Sequence, residues 1–261
     1  MKPFSALFFL LLVFIIGGDT TAHSSAGAVI YFYNPETNIN NFATLKTGFD
    51  TYLSTQGPYQ FQPFDSAENF EEALKQKKGN LYLLSSWHLA ALRQRKIPLE
   101  IVLVATSKGN TMQSKILSAK REITDVTMLK DSTIAGSANE GYIRSVLSQM
   151  FGAKNKALLD QIKILVVPKD ADALLSVSFG VSAAAVSTES SLNKFSIINP
   201  KQFQQLHTLG VSEKSYFLIA ATLEKPNQDE MQLIEILHKM AETEAGEKNL
   251  NLLGLDGWKA L

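Results

Sequence analysis

The segment Asp131-Ser-Thr-Ile-Ala-Gly-Ser-Ala-Asn-Glu-Gly-Tyr142 holds the residues best placed to do chemistry. A β-branched strand stops at Gly136, and a helix is predicted to start near Ala138 or Asn139. Such a junction aims free backbone N–H groups and the positive end of the helix dipole at one spot. In an α/β protein that spot, at the carboxyl end of a strand, is where ligands sit. Ser137 and Asn139 offer polar groups there, and Tyr142, one turn on, is either core or pocket wall. Glu140 is the odd member, because an acid repels the anions that such N–H groups attract. At ~4 Å that repulsion is roughly 1–4 kcal/mol, depending on the effective dielectric. Capping and favourable dipole placement are the competing roles of these three polar residues.

Three further clusters fall at strand ends. Tyr33 and Asn34 close the first strand, where Asn34-Pro35 also reads as a plain turn. Ser85, Ser86 and Trp87 follow a buried strand; Ser86 suits a helix cap, and Trp87 offers a broad face to an apolar or aromatic ligand. Ser187 and Thr188 end a strand of small residues, with capping again the competing role. The candidate ligand-binding set is therefore Tyr33, Asn34, Ser85, Ser86, Trp87, Ser137, Asn139, Glu140, Tyr142, Ser187 and Thr188.

Catalytic chemistry finds little support. The four histidines, His23, His88, His207 and His238, have no zinc-binding spacing. There is no Gly-Xaa-Ser-Xaa-Gly elbow and no Walker or Rossmann glycine pattern. Asp170 and Asp172 read as ordinary acids at a helix start. No catalytic residue, cofactor or metal is expected, and the chain does not read as an enzyme.

The elements that must position these residues alternate. Strands are predicted at 28–33, 59–64, 81–84, 100–105, 114–119, 133–135, 162–167, 183–186, 196–198 and 216–221. Helices are predicted at 39–53, from Ser66 to Lys75, over 88–94, from the 138–139 junction to Met150, over 171–177 and over 226–244. In the last, Met231, Ile234, Leu237 and Met240 mark the inner face. The alternation points to an α/β class with mainly parallel sheets. No Gly/Ser-rich linker divides the chain.

The chain has 261 residues, 45% hydrophobic, with a formal net charge of zero. Neutral balance gives no electrostatic reason to expect nucleic acid or an anionic membrane as partner. Lys2 followed by the apolar run Ala6–Ile16, then Gly17-Gly18 and small residues up to Ala26, is the pattern of a cleavable signal peptide over 1–26. A membrane anchor would need about 20 apolar residues. There is no cysteine, so the fold must be stable without disulfides in an oxidising compartment. These features suggest a soluble periplasmic protein.

The blocks Asn80–Ser86, Ala138–Tyr142, Leu175–Ala184 and Leu253–Trp258, taken in order, resemble a known family. They are similar to motifs of the phosphonate/phosphite-type periplasmic substrate-binding proteins of ABC importers. The family's Ser-Thr-Ser-Gly-Tyr block matches Ala138-Asn-Glu-Gly-Tyr142, and its Leu-Gly-Xaa-Xaa-Gly-Phe ending matches Leu253-Gly-Leu-Asp-Gly-Trp258. The resemblance covers essentially the whole chain after the leader. It implies a two-lobed, type II periplasmic-binding fold with a ligand cleft between the lobes. Residues 27–105 plus 217–261 would form lobe one and 106–216 lobe two.

The resemblance further implies a monomeric solute-binding protein that hands a small-molecule ligand to an inner-membrane ABC permease. Two other readings stay open: a component presenting its ligand to a membrane sensor kinase, and an exported enzyme on the same fold. Replacement of the hydroxyl-rich block by Ala138-Asn139-Glu140 argues against phosphonate. It also leaves room for an apolar ligand, such as a lipid or sterol, gripped by Tyr33, Trp87 and Tyr142.

Overall fold

The computed structural model describes residues 27–36 and 41–261. The expected signal peptide at 1–26 and the expected helix start at Ile39 lie outside the described residues. Strands run β1 Val29–Tyr33, β2 Gln60–Pro63, β3 Leu81–Leu84, β4 Glu100–Thr106, β5 Met112–Gln113, β6 Lys115–Lys120 and β7 Thr133–Gly136. They continue as β8 Lys163–Val166, β9 Ala184–Thr188, β10 Leu206–Val211, β11 Ser215–Tyr216, β12 Ile219–Thr222 and β13 Gly257–Ala260. The helices are α1 Phe42–Ser54, α2 Ala67–Lys75, α3 Ser86–Gln94, α4 Glu140–Phe151, α5 Asp170–Ser178, α6 Glu189–Ile198, α7 Pro200–Phe203, α8 Gln228–His238 and α9 Glu244–Leu252.

Two sheets organise the chain. One has the order β13-β4-β12-β3-β1-β2, the other β10-β6-β9-β7-β8. Successive residues of β1 point to opposite faces: Ile30 and Phe32 enter one core, Tyr31 and Tyr33 the other. Both faces are covered, so the strand is apolar throughout rather than alternating. The second sheet repeats this arrangement, with Ile134 on one side and Ala135 on the other. Each sheet with its helices thus forms a lobe. The chain crosses between them after β4 and after β10, and the crossings pair as the short antiparallel ladder β5–β11.

The C-terminal block explains how the first crossing is held. The Thr106 hydroxyl donates to Asp256 Oδ1 at 2.6 Å, and the Gly109 N–H donates to its other oxygen at 3.2 Å. The Ser107 hydroxyl donates to the Gly254 carbonyl at 3.1 Å. Gly254 sits at φ 72°, a conformation that disfavours side chains.

Several sequence expectations need correcting. The sheets are mixed rather than mainly parallel: β12 runs antiparallel to both β3 and β4, and β6 to both β9 and β10. Ser196-Ile-Ile198, expected as a strand, ends helix α6. The Thr188 hydroxyl caps that helix by accepting from Ser191 N at 3.1 Å, and Phe195 buries its inner face. Capping and packing there override the β preference of two isoleucines, which are left 79% and 74% exposed.

Strand β10 was not anticipated; its alternation is interrupted by a register shift between Thr208 and Gly210. The stretch expected as one strand over 216–221 is divided between β11 and β12. The long helix expected over 226–244 stops at His238, and Met231 faces solvent.

Candidate ligand cleft

Strand ends from both lobes converge on a cavity of about 320 Å³. Lobe one contributes Asn34 and Glu36 just beyond β1, with Leu253, Gly254 and Leu255 from the C-terminal block. Lobe two contributes Lys115, Ser137, Asp170, Thr188, Ser190 and Ser191, while Gln113, Phe217 and Leu218 come from the crossings.

Glu36 is 2% exposed, a rare environment for a carboxyl group. Its Oε2 accepts the Tyr142 hydroxyl across the lobe boundary at 3.0 Å. Ser85 and the Trp87 backbone N–H face the same carboxyl, yet neither reaches hydrogen-bond geometry with Oε1, which is buried and unpartnered. Burial pushes the Glu36 carboxyl above its usual range, and the Lys115 charge and the Tyr142 bond only partly oppose this. The same burial, together with the neighbouring acid, pushes the Tyr142 phenol far up.

Asp170 behaves in the opposite way. Burial is the largest influence and raises its pKa, but the Lys115 charge and the bonds from Ser137, Thr188 and Ser191 together outweigh it, so the carboxyl lies below its usual range. The Ser137 hydroxyl donates to Oδ1 at 2.5 Å. The Thr188 N–H and hydroxyl donate to Oδ2 at 2.8 and 2.9 Å. One buried anion therefore ties the ends of β7 and β9 together at the start of α5.

Lys115 supplies the charge that both acids share. It is 5% exposed, and its ammonium stands over the Tyr142 ring, 5.5 Å from the centroid. Strand periodicity puts Lys115 on the same face as Leu117 and Ala119, which pack in the core beside Tyr142.

Of the residues singled out in the sequence, Asn34, Ser137 and Thr188 line this cavity. Asn34 also accepts the Glu36 N–H at 3.0 Å, the turn role that competed with ligand contact. Tyr142 reaches the site through Glu36. Tyr33 packs against Phe70 and His88 inside lobe one. Ser85, rather than Ser86, caps α3, accepting from His88 N at 3.1 Å. Ser187 is buried within β9.

Trp87 meets Tyr142 edge-on at 5.8 Å, and with Ser86 these rings line a second interlobe cavity that also includes Met112, Val146 and Tyr216. The Asn139 side chain caps α4 by accepting from Gly141 N at 2.8 Å, and the Asn139 backbone N–H donates to the Pro35 carbonyl at 2.9 Å. Glu140 is exposed and pairs with Arg144 at 2.8 Å, one turn along α4. It is not among the cavity residues, so the argument against phosphonate drawn from that acid loses its geometric basis.

Sequence reasoning missed Glu36, Lys115 and Ser190, and assigned Asp170 to capping. A lysine on the buried strand β6 was a signal for Lys115, and it pointed to neither Glu36 nor Ser190. Nothing in the sequence of α5 shows that Asp170 turns toward Ser137 and Thr188.

A two-lobed α/β molecule with crossed connections and a polar cleft at converging strand ends is a periplasmic binding protein by fold. The family profile of periplasmic phosphonate substrate-binding proteins of ABC transporters matches residues 28–261, and the chain belongs to that family. The family implies a periplasmic location and a solute-binding role.

Solved structures agree on the fold. A binding-protein component of an ABC phosphonate transporter from Pseudomonas aeruginosa superposes with a TM-score of 0.64 at 15% identity, covering 90% of this chain and 82% of that one. A methylphosphonate complex of PhnD1 from Prochlorococcus marinus gives 0.62 at 11% identity, covering 90% and 93%. An ATP-bound protein from Xanthomonas citri gives 0.62 at 12% identity, covering 91% and 92%. No curated protein matches the chain in sequence.

Proposed function

We propose that the cleft between the lobes binds a small solute and that the protein delivers it to an ABC permease in the inner membrane. The observation that carries this reading is the buried Glu36–Lys115–Asp170 group beside a cavity that both lobes line. Buried charge of this kind is costly unless paired or used, and shifted carboxyls in a cleft mark functional sites. Delivery fits a fold in which solute favours the closed arrangement of the lobes and an open arrangement releases it. In this reading the lobes are residues 27–105 plus 217–261 and residues 106–216, a division that the crossings after β4 and β10 support, and the protein acts as a monomer.

Native mass spectrometry of the protein isolated from the periplasm tests the reading. A small molecule released from the wild type, but absent from a variant whose cavity is blocked by Ser137→Trp, is the expected result. Identical bare masses for both, with no stabilisation of the wild type by any periplasmic small-molecule fraction, would contradict it.

A further inference from the structure

The chemical class of the solute follows from which donors in the cleft are already engaged; this step rests on the cleft being the solute site. The α4 junction, where an anion would normally sit, is closed from within. Asn139 N–H donates to the Pro35 carbonyl, and Gly141 N–H donates to the Asn139 side chain. The hydroxyls of Ser137 and Thr188, the natural partners of a phosphonyl group, turn to Asp170. The Ser191 hydroxyl also faces that carboxylate.

What remains available is small. The Lys115 ammonium lines the cavity and, among the described residues, makes no ion pair and donates no hydrogen bond. The Ser190 hydroxyl accepts from Lys108 at 3.2 Å and keeps its own proton to donate. Gln113 lines the same cavity. Phe217, Leu218, Leu253 and Leu255 supply apolar lining to the same cavity.

We propose that the solute is a small monocarboxylate, its carboxylate on Lys115 with Ser190 and Gln113, its hydrocarbon part against Phe217, Leu218, Leu253 and Leu255. Lysine is a compact point charge suited to one anionic group, and no arginine among the described residues lines the cavity. Asp170 already shares the field of Lys115. A second negative charge on the ligand would face Asp170, and among the described residues no second lysine or arginine lines the cavity to offset it. The cavity also sits at the lower end of the roughly 300–1,000 Å³ typical of ligand pockets, which favours a compact molecule.

Isothermal titration calorimetry tests this on protein purified from the periplasm, stripped of solute in urea and refolded. The probes are propionate, butyrate, hexanoate and benzoate, the matching amides, methylphosphonate and butylamine. At least one carboxylate is expected to bind, with its amide about tenfold weaker or worse, as loss of a charge-assisted bond implies. Lys115→Met should weaken that carboxylate by a similar factor. Because Lys115→Met also leaves Asp170 without its counter-charge, Ser190→Ala provides a second arm, with a several-fold loss expected at unchanged melting temperature.

Amides that bind as tightly as their acids would overturn the assignment. Binding of methylphosphonate or butylamine without any carboxylate would overturn it too, while leaving the cleft as the solute site. Absence of binding by every class would overturn both.

Discussion

The Tyr142 hydroxyl donates to Glu36 Oε2 at 3.0 Å, joining residues 106 positions apart and on opposite lobes. Together with the Asn139-to-Pro35 backbone bond and the Trp87–Tyr142 ring contact, it closes the molecule along one side of the cleft. The closure and the solute site thus share a carboxyl group.

Removing the hydroxyl should therefore cost more than a surface hydrogen bond. Tyr142→Phe leaves Glu36 buried with neither oxygen bonded, and a loss of about 1–3 kcal/mol is expected. Urea unfolding of the variant beside the wild type measures it. Glu36→Gln, which keeps an acceptor for Tyr142, should lose less.

The raised pKa of Glu36 gives its pH dependence a definite sign. A carboxyl whose folded pKa lies above the ordinary 4.5 stabilises the fold fully below that value and loses the contribution as pH rises through the folded pKa. Melting temperatures should fall over that interval, and Glu36→Gln should remove this component. An unchanged profile in the variant would contradict the assignment.

Asp170 titrates the other way. Its folded pKa lies below the ordinary 3.8, so its contribution is present above that value and is lost as pH falls through the folded pKa. Asp170→Ala strips a buried anion from Ser137, Thr188 and Lys115, and about 3–5 kcal/mol of stability should go with it. Chemical denaturation at neutral pH measures the loss. Asp170→Asn should flatten the acid limb of the profile.

Glu140 provides the contrast. Its pair with Arg144 is exposed and spans one helical turn, an arrangement worth roughly 0.3–0.5 kcal/mol. Glu140→Ser should shift stability by no more than that and leave solute affinity unchanged. A large change in affinity would return Glu140 to the site.

The class of fold was legible because apolar strands and helices at 3.6-residue spacing alternate along the chain, as at β1, α2 and β3. Motif order from Asn80 to Trp258 carried the family. The site was only half legible, for a physical reason. Asn34, Ser137 and Thr188 sit at strand ends, a position the sequence reveals. Glu36 and Asp170 look like ordinary loop and capping acids, and only tertiary closure buries them. Glu140 misled because its place in the first turn suits the cleft and solvent equally, and the pairing with Arg144 decides for solvent.

The central claim, that solute closes the lobes over this cleft, is open to a direct distance measurement. The chain has no cysteine, so Lys75→Cys and Lys154→Cys can carry one spin label on each lobe, both at exposed positions. Pulsed dipolar spectroscopy would compare solute-stripped protein with the same protein given back the solute released from its native preparation. A narrow, shorter distance with solute and an added longer population without it are expected. One unchanged distance in both samples would contradict the account.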